Sequence, residues 1–389
     1  MEISKQKLLA IVGPTASGKT SLSILLAKRL GGEILSCDSM QIYRGMDIGT
    51  AKPTEQEKAD VPHHLLDLAD ADTPFSCAEY VKAASSVIDE LSARGSLPVL
   101  CGGTGLWLDS LRRGSADAER IPGKTVVREA LEAEAEKEGG AAALHARLAS
   151  VDPESAAAIH PNNTRRVIRA LEVYVATGTP KSEWDRRSKE RPAAYDIRPI
   201  GIRFSDRDRL YARIDARVEK MLEEGLFLET ERLLATGALP EGSTAAQAIG
   251  YKEFVDALAG RSSMEAAVAQ VQQSSRRYAK RQLTWFRRNP RMNWLTRHPG
   301  EGAGNLLRPP ILLRQAGFGC LPLHGGCGDH GEFQARCSTV YTQSFRSGYP
   351  FRDHAAFSGK QGHLCFQRFC LRIQHGTRKL RAPFVRAFR

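Results

Sequence analysis

The 389-residue chain has no run of about eighteen consecutive apolar residues, the length a membrane-spanning helix requires, so no membrane partner is expected. Its N-terminus lacks the basic region, apolar stretch and small-residue cleavage site of a secretory signal, and a cytoplasmic protein is the expectation. The eight cysteines form no C-x-x-C pair and no regular Cys/His finger spacing, which argues against a structural zinc site. Cys37, Cys77 and Cys101 lie on or beside predicted core elements and read as buried free thiols; the other five fall beyond residue 300. Acidic residues are absent from 266–300, which holds eight Lys/Arg, and only four occur in 301–389. Residues 1–265 are net acidic, with 35 Lys/Arg against 40 Asp/Glu, so the formal charge of +12 is concentrated in one helical segment and the tail. That distribution fits a localised polyanion contact.

The chain does carry an apolar fraction of 42%, enough for a sizeable core, and a length sufficient for two domains. Apolar runs at Leu8–Val12, Glu33–Cys37, Leu97–Cys101 and Ile197–Phe204 read as strands, with helical patterns at Ser21–Leu30 and Glu79–Arg94 between them. This alternation predicts an α/β fold, a parallel sheet covered on both faces. Between Arg120 and Arg191 strand signals vanish, and the Ala/Glu/Arg-rich stretch reads as a helical insertion broken at Gly139-Gly140 and Pro153. Helical patterns resume at Asp206–Ala235, with Ser205-Asp206 as N-cap, and at Ser263–Arg288. The predicted organisation is therefore a phosphate-loop α/β catalytic domain from 1–119 and 192–300 that ends in a basic helix, interrupted by a helical insertion domain at 120–191. The Gly-, Pro-, Arg-, Cys- and His-rich tail at 301–389 shows neither period; it is expected to be disordered or translated out of frame, and dispensable.

Directly after the first predicted strand, Gly13-Pro14-Thr15-Ala16-Ser17-Gly18-Lys19-Thr20 fits G-x-x-x-x-G-K-[ST]. Backbone N–H groups of such a loop wrap phosphate oxygens, the following helix adds its positive end, and Lys19 adds a full charge. The Thr20 hydroxyl is placed to ligate a Mg²⁺ held by the same phosphates. A diphosphate or triphosphate ligand is expected, but the loop alone leaves the reaction open. Asp38 follows the second strand on the same sheet edge. A carboxylate there can ligate Mg²⁺ or take a proton from a nucleophile attacking near the phosphates, or it is a turn residue. Cys101-Gly102-Gly103-Thr104-Gly105 closes the third strand at that edge, where glycines admit a ligand and the Thr104 hydroxyl can bond it. Arg276, Arg277, Lys280, Arg281, Arg287 and Arg288 interleave with Tyr278, Trp285 and Phe286 at helical spacing, which suits phosphate contact and base stacking; core packing by Trp285 and Phe286 is the competing reading.

In order and spacing, the phosphate loop, Asp38-Ser39-Met40-Gln41-Ile42-Tyr43, the Gly-Gly-Thr turn, His160–Glu172, Arg217–Gly225, Ala248–Glu253 and Arg277–Arg287 together resemble the tRNA dimethylallyltransferases, also called tRNA isopentenyltransferases. The resemblance covers roughly residues 7–297 and misses no motif of the family; Trp107 stands where the family usually has Tyr. It implies transfer of a dimethylallyl group from dimethylallyl diphosphate to N6 of the adenosine immediately 3′ of the anticodon, by a monomer acting on the tRNA anticodon stem-loop. Asp38 would be the general base, Thr104 would stabilise the leaving oxygen, and Arg217 with Lys19 would neutralise the diphosphate. The resemblance assigns RNA contact to Asp38, Ser39, Met40 and Gln41, to Arg165, Arg166, Val167, Ile168 and Arg169, and to Ile249, Gly250, Tyr251 and Lys252. Lys280, Arg281, Gln282, Trp285 and Arg287 of the basic strip, with Thr104 and Arg128, complete that set. A small-molecule kinase is the alternative activity, and an RNA-binding NTPase switch the non-enzymatic one. The first leaves the basic helix unexplained, and the second lacks an N-K-x-D guanine motif.

Overall fold

A computed structural model describes residues 5–114, 126–190, 192–240 and 242–298, all of them within one compact unit spanning Met1–His324. The expectation for residues 301–389 lies outside the described residues.

Six parallel strands form one sheet in the order β3-β2-β4-β1-β5-β6. They are β1 (Lys7–Val12), β2 (Gly32–Ser36), β3 (His63–His64), β4 (Leu97–Gly102), β5 (Asp196–Phe204) and β6 (Asn293–Arg297). The central run Leu8–Val12 is apolar at every position because both faces of β1 are covered. Leu8, Ala10 and Val12 join one core and Leu9 and Ile11 the other, as the two-residue period of a strand requires. On the smaller core lies α1 (Lys19–Leu30); α3 (Cys77–Ala93) and α4 (Gly105–Arg113) contribute to the larger. The edge strands β3 and β6 were not expected. A two-residue strand is too short to show alternation, and Asn293–Arg297 is polar and only partly buried along most of its length, the composition of a sheet edge.

Between α4 and β5 run α5 (Val126–Ala135), α6 (Gly140–Val151), α7 (Pro153–Ala158), α8 (Thr164–Thr177) and α9 (Lys181–Glu190). Gly139, with φ 71°, starts α6, and Asp152 caps α7 by accepting from Ser155 N at 3.0 Å. These helices bury their own cluster, with Leu131, Leu144, Leu148 and Leu171 at its centre. After β5 the expected helical stretch forms two helices, α10 (Arg207–Glu223) and α11 (Leu226–Ala235), because Gly225 at φ 100° turns the chain. The N-cap is Asp206, which accepts from Asp208 N at 2.9 Å. The short α12 (Tyr251–Leu258) precedes α13 (Met264–Phe286), capped by Ser263, and α10 and α13 bring the basic segment to the carboxyl edge of the sheet. The remaining short helix α2 (Glu55–Asp60) lies between β2 and β3. Open α/β sheets present ligands at this edge.

Candidate active site

The phosphate loop leaves β1 and closes onto α1 through residues with positive φ, Ala16 at 60° and Gly18 at 90°. Its shape is held by cations that bind its carbonyl oxygens. Lys19 Nζ donates to Pro14 O at 2.8 Å, Arg213 Nε to Ala16 O at 3.0 Å and Arg297 Nη1 to Ser17 O at 3.1 Å. Arg217 Nη1 reaches the Thr15 hydroxyl at 3.4 Å. Burial pulls the Lys19 ammonium down to about 8, with neighbouring Arg217 adding to the effect and Asp38 opposing it. Burial lowers Arg217 as well, again against the attraction of Asp38. Two shielded cations beside a backbone loop are a site that gains by taking up an anion.

Two cavities share Thr15, Asp38, Thr50, Arg217 and Tyr278. The smaller, about 80 Å³, contains Lys19, Thr20 and Gly102 in its walls. The larger, about 270 Å³, is bounded by Arg281 and by apolar side chains that include Ile214, Val218, Met221 and Val271. Asp38, two residues past the end of β2, therefore stands where a phosphate-binding compartment meets a roomier, partly apolar one. Asp38 Oδ1 accepts from Met40 N at 3.0 Å, and the next residue is fastened to the other turn, Ser39 N donating to Thr104 Oγ1 at 3.0 Å. Tyr278 lines both cavities, and burial, with the nearby Asp38 charge adding to it, raises its phenol.

Several side chains assigned to RNA contact by resemblance are engaged within the protein. Val167 and Ile168 are buried in the core of the helical segment and present no side-chain surface to RNA. Tyr251 is fully buried, and its hydroxyl donates to Glu229 Oε1 at 2.5 Å. The Glu229 carboxylate also accepts from Asp47 N, Ile48 N and Gly49 N at 3.0–3.2 Å, so Tyr251 helps to hold the loop that carries Thr50 into the site. Gly250, beside it, is buried and forms part of the wall of the larger cavity with Ile249. Gln41 accepts from Ser36 Oγ at 2.8 Å and donates to Thr50 O and Ala51 O, so its amide is used within the protein. Gln282 is only 5% exposed, its amide bonded to main-chain atoms. The Trp285 indole donates to Asp109 Oδ2 at 3.0 Å and packs against Gly105, where a Cβ would lie 2.2 Å from the ring. Arg128 and Arg169 meet on the buried Glu172 at 2.7 and 2.6 Å, a bridge between α5 and α8.

Exposed cationic side chains remain at Arg165 and Arg166 on the first turn of α8, at Lys252, at Lys280 and Arg281 on α13, and at Arg287 at its C-cap. Arg281 stacks on Tyr278 with its guanidinium 5.5 Å from the ring centre. Phe286 is buried, as the packing reading had it. Trp107 points into the core, stacked on Tyr80 with ring centres 4.1 Å apart, and takes no part in the site. Cys37 is buried and its thiol is pushed up to about 12, whereas Cys77 and Cys101 are partly exposed.

The sequence reading missed Arg213, Arg297, Glu229 and the place of Tyr278. Glu229 did leave a signal: it lies three residues after Leu226 and four before Leu233, on the apolar face of α11, where an unpaired carboxylate would be costly. Tyr278 and Gln282 are one helical turn apart and share a face. Nothing in the local sequence marks Arg297, which reaches the loop only because β6 pairs with β5.

Comparison with known proteins agrees with this geometry. Residues 41–289 match the family described as IPP transferase. The chain belongs to the IPP transferase family. A tRNA dimethylallyltransferase of Geobacillus thermodenitrificans is 51% identical over 74% of this chain and 90% of its own length. The solved structure of the full-length tRNA isopentenylpyrophosphate transferase from Bacillus halodurans superposes with a TM-score of 0.59 at 44% identity, covering 81% of this chain and 97% of that one. A eukaryotic dimethylallyltransferase solved acting on tRNA gives a TM-score of 0.63 at 30% identity over 72% and 70% of the two chains. The six-stranded α/β architecture is thus that of IPP transferases.

Proposed function

We propose that this protein transfers a dimethylallyl group from dimethylallyl diphosphate to N6 of the adenosine immediately 3′ of the anticodon in tRNA. The observation that carries the reading is the junction of the two cavities at Asp38 and Arg217, with the phosphate loop's Lys19 in the smaller one and a roomier, partly apolar wall in the other. Relatives named for this reaction and a structural neighbour described as acting on tRNA support it over a phosphate-loop kinase.

The phosphate loop, Lys19 and Arg217 bind the diphosphate and stabilise the charge that grows on its bridging oxygen as the allylic C–O bond breaks. The N6 lone pair is delocalised into the purine, so the amine is a weak nucleophile. Asp38 accepts its proton as the new C–N bond forms, and diphosphate departs with the bonding electrons. Thr104, oriented by its bonds to Ser39, faces the reacting region. The target base must leave its stack to reach this depth.

Thr20 and Asp38 both line the smaller cavity and offer the hydroxyl and carboxylate oxygens that suit Mg²⁺, with diphosphate oxygens supplying the rest of the shell. Among the described residues no group of three or more His, Cys, Asp or Glu could hold a metal alone. Bound there, Mg²⁺ would neutralise part of the diphosphate charge. The tRNA would lie across exposed Arg165, Arg166, Lys252, Lys280, Arg281 and Arg287, with a monomer as the working unit. No helix among the described residues is long and apolar enough to cross a membrane. The proposed compartment is the cytoplasm, because the tRNA substrate is available there.

Mass spectrometry of nucleosides from tRNA incubated with the protein, dimethylallyl diphosphate and Mg²⁺ tests the reading. A dimethylallyl adduct on adenosine is expected, and ATP-dependent phosphoryl transfer without that adduct would favour the kinase. The basic helix gives a second prediction. Neutralising Lys280, Arg281 and Arg287 together should weaken tRNA binding and flatten its salt dependence by about one slope unit per lost phosphate contact. Dimethylallyl diphosphate binding should be unchanged. Equal tRNA affinity and salt slope in the triple alanine variant would remove α13 from the RNA surface.

A further inference from the structure

The side of α13 turned toward the sheet makes an unusual bridge. Gln282 Oε1 accepts from Thr15 N at 2.9 Å, and its Nε2 donates to Gly103 O at 3.1 Å. One buried amide thus spans two turns that leave adjacent parallel strands, the phosphate loop after β1 and the Gly-Gly-Thr turn after β4. The fit is close: a Cβ on Gly103 would lie 2.0 Å from Nε2. One turn earlier on the same face, Tyr278 lines both cavities beside Thr104 and Gln282. The flanking residues Lys280 and Arg281 are exposed.

We propose that Gln282 is a positioning residue that sets the phosphate loop in register with the Thr104 turn, so that the donor carbon meets the acceptor nitrogen at Asp38. The proposal rests on the prenyl-transfer reading above. The phosphate loop holds one reactant by its diphosphate. The Thr104 turn fixes the other side, because Thr104 Oγ1 receives Ser39 N and so anchors the segment that bears Asp38. Displacement at carbon needs nucleophile, carbon and leaving oxygen in line, and a shift of about 1 Å between the two turns can cost roughly 100-fold in rate. The two main-chain bonds use only one lone pair of Oε1 and one hydrogen of Nε2, so what they fix is the position of the amide; losing them would leave Thr15 N–H and Gly103 C=O without these partners.

Full-length Gln282→Met, which keeps the volume and removes both bonds, is the direct test, and Gly103→Ala displaces the same amide from the other side. Steady-state transfer is measured with dimethylallyl diphosphate and tRNA varied separately, beside filter binding of tRNA and thermal unfolding. In both variants kcat is expected to fall by roughly 10- to 100-fold and the KM for dimethylallyl diphosphate to rise by roughly 10-fold. The tRNA dissociation constant should stay within about twofold and its salt slope should not change. Weaker tRNA binding with an unchanged diphosphate KM would make Gln282 an RNA contact and overturn the proposal. Unchanged kcat, or a loss of activity that only follows the fraction unfolded, would overturn it too. Absence of any prenylated nucleoside with the unsubstituted protein is a separate result, which removes the proposed reaction and this role with it.

Discussion

Asp38→Ala is expected to lower single-turnover prenyl transfer by roughly 10²- to 10⁴-fold, the range for loss of a positioned general base, while tRNA affinity changes little. The carboxylate acts on the proton of N6, which becomes acidic only as the C–N bond forms, so its contribution is concentrated in the transition state. Measured at pH 7 with Mg²⁺ omitted, so that the proposed metal-holding role of Asp38 does not enter, binding of dimethylallyl diphosphate should be unweakened, because the substitution removes a negative charge near Lys19 and Arg217. That combination separates a lost base from a collapsed site, in which diphosphate binding would also fail. Near-native turnover in Asp38→Ala would leave the Met40 turn bond as the residue's only role.

Lys19→Ala is expected to weaken dimethylallyl diphosphate binding and turnover together, because this charge meets the diphosphate in ground and transition states alike. Its acidity adds a pH signature. Burial holds the ammonium near 8, so affinity for the diphosphate should be retained below that pH. Above it affinity should fall, by up to about tenfold per pH unit as the proton is lost. Titrations across pH 7–10 should show this decline in the unsubstituted protein and its absence in Lys19→Ala. Since the unfolded lysine binds its proton up to its ordinary value of 10.5, the unfolded state holds more protons between about 8 and 10.5. This group therefore favours folding increasingly as pH rises through that window. A pH-independent diphosphate affinity would show that Lys19 stays charged throughout and that its burial is relieved by solvent.

The alternation of apolar runs with helical patterns was sufficient to place β1, β2, β4 and β5, because central parallel strands are covered on both faces and so must be apolar at consecutive positions. The phosphate loop, Asp38 and the Gly-Gly-Thr turn were legible for a related reason: each depends on local backbone geometry at a strand end, which glycine, Thr and Asp encode within a few residues. A helical stretch from Val126 to Gly178 was equally plain from composition, and Gly139 and Pro153 marked its breaks.

The direction each side chain faces was not legible. Gln282, Tyr251, Val167 and Ile168 occupy motifs that resemblance assigns to RNA, yet packing turns them inward, and only the neighbours on the opposite helix face are exposed. Glu229 and Arg297 reach the site across more than 180 residues of sequence, through α11 and β6, and no local pattern carries such a distance. The depressed acidity of Lys19 likewise depends on how much of the fold closes over the phosphate loop. By itself the sequence determined the α/β class, the phosphate loop and the identity of the chemical groups, since these follow from period, turn chemistry and residue type. The tertiary structure alone decided which groups share a cavity, which face water and how the two turns are tied together, because those depend on contacts between segments remote in the chain.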